Sequence, residues 1–448
     1  MVFIMPMYFG HLNKTILIAK LLETQGYAVF YAGSKQLLRF VITHKFKLYL
    51  LETRPFTYEQ KTPLSTNKFK KWYDLVIRDY FVSDFLARQK ELEKLVNELD
   101  PAIIFLDEFY YSDFINLYPF QENCRIFILQ TKFGLYYNPY LPPPTYFAFP
   151  GTWNKIRWKK IFLKQWFNRI LNNAVYLGNG SHTLIAKALK WQHIPDNYSE
   201  NKNKILTSGF KNVPELLLVP QELEFEETKV DSWIKYFGPS TDMNRKEIVS
   251  PNLKEFLNRK AQRIDSKLVY CTLGTVSNIH LKNELKIKQE FFKNLIELAK
   301  CHPDYYFIIG LGDDLKIEEF SSDLPENFLI MHFAPQIYIL KQADLMYTHA
   351  GQNSIFESIL AGLPMLLFPL NNLWEHNGTC ARMVHHQLGI KASLTDNSNF
   401  IWSCTQELLN NPKYKKSVLK MAEMLKDKYT DAYLLEILEE PIENKNEH

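Results

Sequence analysis

The chain has 448 residues, 46% of them hydrophobic and 23% charged, a globular composition that supplies two sizeable cores and excludes disorder as its default state. A net charge of +4 is small for this length and gives no general case for a nucleic-acid binder. Cys124, Cys271, Cys301, Cys380 and Cys404 are scattered, with no CxxC pair and no histidine cluster at metal spacing, which excludes a zinc framework and favours a reducing, cytoplasmic compartment.

The opening MVFIMPMYFGHLNK has no basic n-region, and no apolar run reaches about 18 residues, so neither a secretion signal nor a transmembrane helix is expected. Val2 to Met7 reads as a strand, followed by a turn over Tyr8 to Asn13. A helix comes next, with Ile16, Leu17, Leu21 and Leu22 on one side and Gly26 as its cap. Tyr27 to Ala32 is a second strand, and strand-helix-strand implies parallel pairing. Further strands are expected at Ala102 to Leu106, Ile126 to Gln130 and Ala174 to Leu177.

Between 214 and 265 the texture turns to Pro, Glu, Lys and Ser, as a linker region does. A second α/β series follows, with strands at Leu268 to Leu273, Tyr305 to Leu311, Asn327 to Met331, Ala343 to His349 and Leu363 to Phe368. The order implies an α/β protein of two Rossmann-like parallel-sheet domains facing across a cleft: 1–238, a linker at 239–265, and 266–425. A C-terminal helix and tail over 426–448 would pack back on the first domain.

The densest chemistry lies in ADLMYTHAGQNSIFESILAGLPMLLFPL, where a strand ends at His349 and a polar turn leads into a helix. Such a turn presents free N–H groups and a positive helix end to a phosphate. His349, Asn353 and Ser354 add donors, and Glu357 could accept both hydroxyls of a ribose. Ser354 and Glu357 also spell a capping box, which would stabilise any helix start. His11, in the turn after the first strand, is a candidate base, and Asp107, Glu108 and Asp113 are candidate carboxylates to orient it.

With FAPQ at 333–336, HAGQNSIFE at 349–357, GLP at 362–364, Glu375-His376 and Arg382, the chain resembles the UDP-glycosyltransferase superfamily, including plant secondary-product and bacterial macrolide or carotenoid glycosyltransferases. The resemblance implies the GT-B fold. It also implies that Phe333 stacks on the base, Gln336 helps hold the nucleoside, and His349, Gly351, Asn353 and Ser354 take the diphosphate. Glu357 would then bind the ribose, and Glu375 and His376 the sugar. Gly274 and Thr275 match the family's glycine turn near the diphosphate. Gly10-His11-Leu12-Asn13 resembles its G-H-x-N, whose histidine is the base, with Asp107 as its partner.

Phe333 stands where plant members have Trp, His376 where Gln is usual, and Thr379-Cys380 where Asn-Ala is usual. The middle departure leaves the sugar open, since His and Gln present donors and acceptors differently.

The implied reaction is inverting transfer of a hexose from a UDP-sugar, or another nucleotide diphosphate sugar, to a hydroxyl of a small or lipophilic acceptor. No cofactor or metal is implied, and the chain holds no D-x-D; Gly312-Asp313-Asp314 reads as a solvated turn. The alternative from another class is a non-catalytic sugar-nucleotide-binding helper. Aromatic-rich 133–149 would line the acceptor cleft. Residues 151–191 carry eight Lys or Arg and no acid among aromatics, which reads either as a solvated face over a core or as peripheral contact with an inner membrane face.

Overall fold

The computed structural model describes residues 1–56, 80–274, 282–312, 315–320, 324–370 and 375–440. Thr275, Asp313 and Asp314 lie outside the described residues. The first domain is built on β1 (Val2–Ile4), β2 (Phe30–Gly33), β3 (Lys47–Leu50), β4 (Ile103–Asp107), β5 (Arg125–Gln130), β6 (Glu215–Leu217) and β7 (Ile234–Tyr236). These form one parallel sheet in the order β3-β2-β1-β4-β5-β6-β7. Its helices are α1 (Phe9–Thr24), α2 (Leu38–His44), α3 (Tyr80–Leu99), α4 (Asp113–Leu117), α5 (Asn154–Val175) and α6 (Ser181–Trp191).

After α7 (Pro251–Ala261), the second domain contains β8 (Lys267–Thr272), α8 (Lys282–Cys301), β9 (Tyr305–Gly310), β10 (Phe328–Met331), α9 (Gln336–Leu340), β11 (Leu345–Thr348), α10 (Gln352–Leu360), β12 (Met365–Leu367), α11 (His376–His385), β13 (Gly389–Lys391), α12 (Ser398–Asn410) and α13 (Pro412–Lys428). Its parallel sheet runs β10-β9-β8-β11-β12-β13.

The central strands read as unbroken apolar runs because helices cover both faces. Period-2 alternation divides each run between two cores: Phe3 and Phe105 face one side with Leu12, whereas Val2, Ile4, Ile104 and Leu106 face the other with Leu92. The second sheet repeats this, with Val269 and Cys271 on one face and Leu268 and Tyr270 on the other. Ala174 to Leu177, expected as a strand, is instead the end of α5 and its turn, where Leu177 adopts φ 45°. Its apolar residues continue the helical face of the preceding turns, and that context overrides their β propensity.

The last helix, α14 (Asp431–Glu439), packs back on the first domain. Leu434, Ile437 and Leu438 join the core around Phe3, and Arg125 donates to the carbonyls of Leu438 and Glu440. A second tie is buried in the seam between the domains. Arg382 on α11 donates through Nε to Glu224 at 2.7 Å, lies between Phe133 and Phe225, and Glu224 also accepts from the Gly134 N–H at 2.7 Å. Both side chains are almost wholly buried, so removing one partner strands a charge. Arg382→Leu should lower stability by about 3 kcal/mol or more, and Arg382→Leu combined with Glu224→Leu should recover part of that loss. Urea unfolding midpoints of the single and double variants check this.

Candidate active site

In each sheet the strand order reverses direction beside the first strand of the domain, between β1 and β4 and again between β8 and β11. At such a point the crossovers on either side diverge and leave a crevice at the carboxyl ends of the strands. His11 follows β1 and Asp107 ends β4, so both stand at the first crevice; Gly274 follows β8 and His349 follows β11, so both stand at the second. Four residues far apart in the chain are thereby gathered on two facing edges.

His11 lies in the first turn of α1 rather than in a loop, because the helix begins at Phe9. Its Nδ1 is 2.7 Å from Asp107 Oδ2, and its ring stacks on Phe109 with centroids 5.1 Å apart. Asp107 is buried and also accepts from the Phe109 N–H at 2.9 Å. Of the rival carboxylates, Asp113 is turned away into an ion pair with Arg88 at 2.5 Å. Glu108 is nearer, 3.5 Å from His11 Nε2, but Lys132 and Thr131 hold it. Burial alone would raise Glu108; Lys132 and His11 outweigh it and bring the carboxyl down to about 2. The ring nitrogen away from Asp107, Nε2, therefore faces a carboxylate whose charge Lys132 already meets.

Across the cleft, α10 starts at Gln352 with Gly351 at its N-cap and no side chain capping it. Ser354 and Glu357 therefore do not form a capping box. Glu357 instead accepts from Gln336 Nε2 at 2.5 Å and from Arg245 at 2.5 Å, and Gln336 also accepts from the Tyr270 hydroxyl at 3.1 Å. The first N–H groups of α10 remain without a side-chain cap, at the positive end of the helix. Ala350 turns the chain into this helix at φ 65°, a strained conformation for a residue with a Cβ. Gly274, at φ 77°, lies flat against His349: a Cβ there would sit 2.5 Å from His349 Cε1. Only glycine fits.

His349 is half-buried as a residue, but its Nδ1 is buried without a hydrogen-bond partner; the same holds for the atoms Gln352 Nε2, Glu375 Oε2 and His376 Nδ1. Four such atoms along one cleft edge are unusual in a folded interior and mark where a polar ligand would complete the bonding. Burial first, then His376 and Lys288, push His349 down to about 3, so its ring is neutral near pH 7. His376 packs edge-on to it at 5.1 Å; burial lowers this ring too, against the pull of Glu375. Phe333 stands at the rim, 63% exposed. Asn353 reaches the opposite domain, where its Nδ2 donates to the Gly10 carbonyl at 3.4 Å.

Three residues of this site carry no motif. Lys14, one turn after His11, is wholly enclosed and donates to the Thr131 carbonyl at 2.7 Å and to Gln352 Oε1 at 2.6 Å, linking the two domains. Burial pushes its ammonium down to about 7, with Glu375 pulling upward and Lys132 pushing down. Lys132 neutralises Glu108, and Arg245 covers Glu357. A polar residue on a buried helix face was the one signal available for Lys14. Among the described residues no three His, Cys, Asp or Glu side chains gather as a metal site.

Residues 318–434 match the family model described as UDP-glucoronosyl and UDP-glucosyl transferase. The chain is 25% identical over 219 residues to the uncharacterized UDP-glucosyltransferase YdhE of Bacillus subtilis, covering 47% of this chain and 52% of that protein. It is 24% identical over 229 residues to the putative UDP-glucuronosyltransferase ugt-47 of Caenorhabditis elegans, covering 50% of this chain and 40% of the other. The matched stretch thus spans about half or less of these relatives.

Among solved structures, the calicheamicin glycosyltransferase CalG4 superposes with TM-score 0.67 at 14% identity, covering 98% of this chain and 96% of that one. The spinosyn rhamnosyltransferase SpnG complexed with thymidine diphosphate gives 0.59 at 13%, covering 98% and 100%. The fold is GT-B.

Because His349 titrates far below its ordinary value of 6.5, the unfolded chain takes up a proton that the folded one refuses as pH falls from 6.5 toward 3. Its burial thus lowers stability progressively through that window. His349→Gln should flatten the dependence, by up to about 1.4 kcal/mol per pH unit, in urea unfolding series run from pH 7 down to 4.

Proposed function

From the match of residues 318–434 to the UDP-glucoronosyl and UDP-glucosyl transferase family we propose that the chain is a member of the UDP-glycosyltransferase superfamily and transfers a hexose from a nucleotide diphosphate sugar, UDP-linked by family, to a hydroxyl of a small or lipophilic acceptor, with inversion. One observation carries the reading: a His11–Asp107 pair at one crevice faces an uncapped helix start with unpartnered polar atoms at the other.

Asp107 on Nδ1 fixes the tautomer that leaves Nε2 as acceptor, and its charge stabilises the imidazolium that forms. As the acceptor oxygen bonds to the anomeric carbon, its proton passes to Nε2. The bond from that carbon to the phosphate oxygen breaks on the far side, and its electron pair leaves with the nucleotide diphosphate. Displacement from one face inverts the centre. The departing charge is received by the N–H groups of α10, by neutral His349 as a hydrogen-bond donor, and by Lys14, whose proton an adjacent diphosphate would hold more firmly. These groups let the step run without a metal bridging the phosphates.

Phe333 offers a face to the base, Glu357 takes the ribose hydroxyls once Arg245 yields at least one oxygen, and Glu375 with neutral His376 reads the sugar. The spinosyn rhamnosyltransferase has also been solved in complex with spinosyn aglycone, which supports an aglycone-type acceptor. Five free cysteines support a cytoplasmic setting. Peripheral contact through 151–191 fits the lipophilic end of the acceptor range.

His11→Ala should leave nucleotide binding intact by calorimetry and lower nucleotide diphosphate release with acceptor by about 10²-fold or more. Asp107→Asn should act in the same direction. Unchanged release in His11→Ala would reject the base, and donor binding without release for any of a panel of hydroxylated compounds would favour the non-catalytic helper.

A further inference from the structure

Helix α5 carries apolar residues on both of its faces. Its protein side holds Asn154, Trp158, Ile161, Phe162 and Gln165, with Phe162 stacked on Trp158 at 5.5 Å, and of its large aromatics only Trp158 is fully buried. Ile156, Leu163, Phe167 and Ile170, spaced by seven, four and three residues, fall on one face at helical periodicity, and all four are exposed. Trp166 is 59% exposed beside them, and Trp153 is 73% exposed just before the helix. From Ile156 to Ile170 the stripe runs about 21 Å along the 22-residue helix. It is too long to be scattered surface apolarity.

The charge around the stripe is of one sign. Lys155, Lys159, Lys160 and Lys164 are exposed along its two edges, and the helix holds no Asp or Glu. None of the four forms an ion pair among the described residues. Lysines flanking an apolar strip with tryptophans at its level suit a bilayer interface: the stems lie along acyl chains, the ammonium groups reach anionic headgroups, and the indoles sit at the boundary. No helix among the described residues is long and apolar enough to cross a membrane, so the helix would lie in the interface plane.

We propose that α5 docks this protein on an anionic membrane surface through its outward apolar face. The docking is coupled to the acceptor side of the cleft. Trp158 Nε1 donates to the Leu141 carbonyl at 2.8 Å, and Asn154 Nδ2 donates to the carbonyls of Tyr140 and Phe149, both at 2.8 Å. The same loop crosses to the second domain, where Pro144 accepts from the Gly378 N–H at 2.9 Å. A docked α5 therefore holds the 137–149 loop against the bilayer, and the acceptor is an amphiphile taken from it with its hydroxyl leading. That last clause rests on the transferase reading; docking does not.

Co-sedimentation with phosphatidylcholine vesicles containing 30% phosphatidylglycerol tests the docking without any turnover. The wild-type protein should bind them, roughly tenfold or more above pure phosphatidylcholine. Lys155→Gln, Lys159→Gln, Lys160→Gln and Lys164→Gln together should remove most of that preference. Trp166→Ser with Phe167→Ser should weaken binding by about tenfold or more, with circular dichroism and nucleotide binding unchanged. No wild-type binding, equal binding to neutral vesicles, or variants that bind as wild type would each overturn the proposal. So would a wild-type dimer in sedimentation velocity that Trp166→Ser with Phe167→Ser makes monomeric, since the face would then belong to a second copy.

Discussion

The site depends on one constraint: a parallel strand must return to the same edge of the sheet before the next can pair, so each crossover has to leave on one face or the other. Where successive crossovers part, beside β1 and again beside β8, nothing fills the carboxyl ends of the strands. His11 and Asp107 come from chain segments nearly a hundred residues apart, yet parallel pairing of β1 with β4 sets the two strand ends they follow or close side by side. The pairing of β8 with β11 does the same for Gly274 and His349. The pair is therefore positioned by the end of β4 and by the helix that starts just after β1, which is why a 2.7 Å contact can be held from two distant parts of the chain.

Electrostatics then divides the two edges by role. The first is rich in polar groups that satisfy one another, with Lys132 on Glu108 and Asp107 on His11. The second keeps its titratable rings neutral by burial and leaves polar atoms unpartnered. Lys14 stands between them, enclosed by protein yet bonded to both domains. A buried ammonium is costly on its own; next to a diphosphate it would be matched. Its environment makes sense as part of a cleft that is completed by an anion.

Two departures from expectation share a cause. The Ser354–Glu357 pair fits the local rule for a helix start, but the turn at Ala350 begins the helix earlier and frees both side chains for other partners. Residues 174–177 satisfy the local rule for a strand, but the helix before them continues through. In each case a neighbour in the fold outranked a short-range pattern. The exposed face of α5 is the converse: helical spacing of its apolar residues was legible, but which side of the helix met the protein was not, because either face could have been the inner one.

The amino-acid sequence by itself determined the α/β class, most central strands, the two-sheet plan and the polar turn that leads from His349 into a helix, because buried parallel strands and polar strand-to-helix turns demand residue types that stand out at short range. Strands β3, β6, β7 and β13, three or four residues each and lying at or next to a sheet edge, left too little periodicity to read. Only the tertiary structure decided that Asp107 rather than Asp113 faces His11, that Lys14 and Arg245 enter the site, and that His376 is held neutral. Those outcomes depend on which groups share a buried volume, and burial and charge pairing act through space across hundreds of residues, where chain order carries no record of distance.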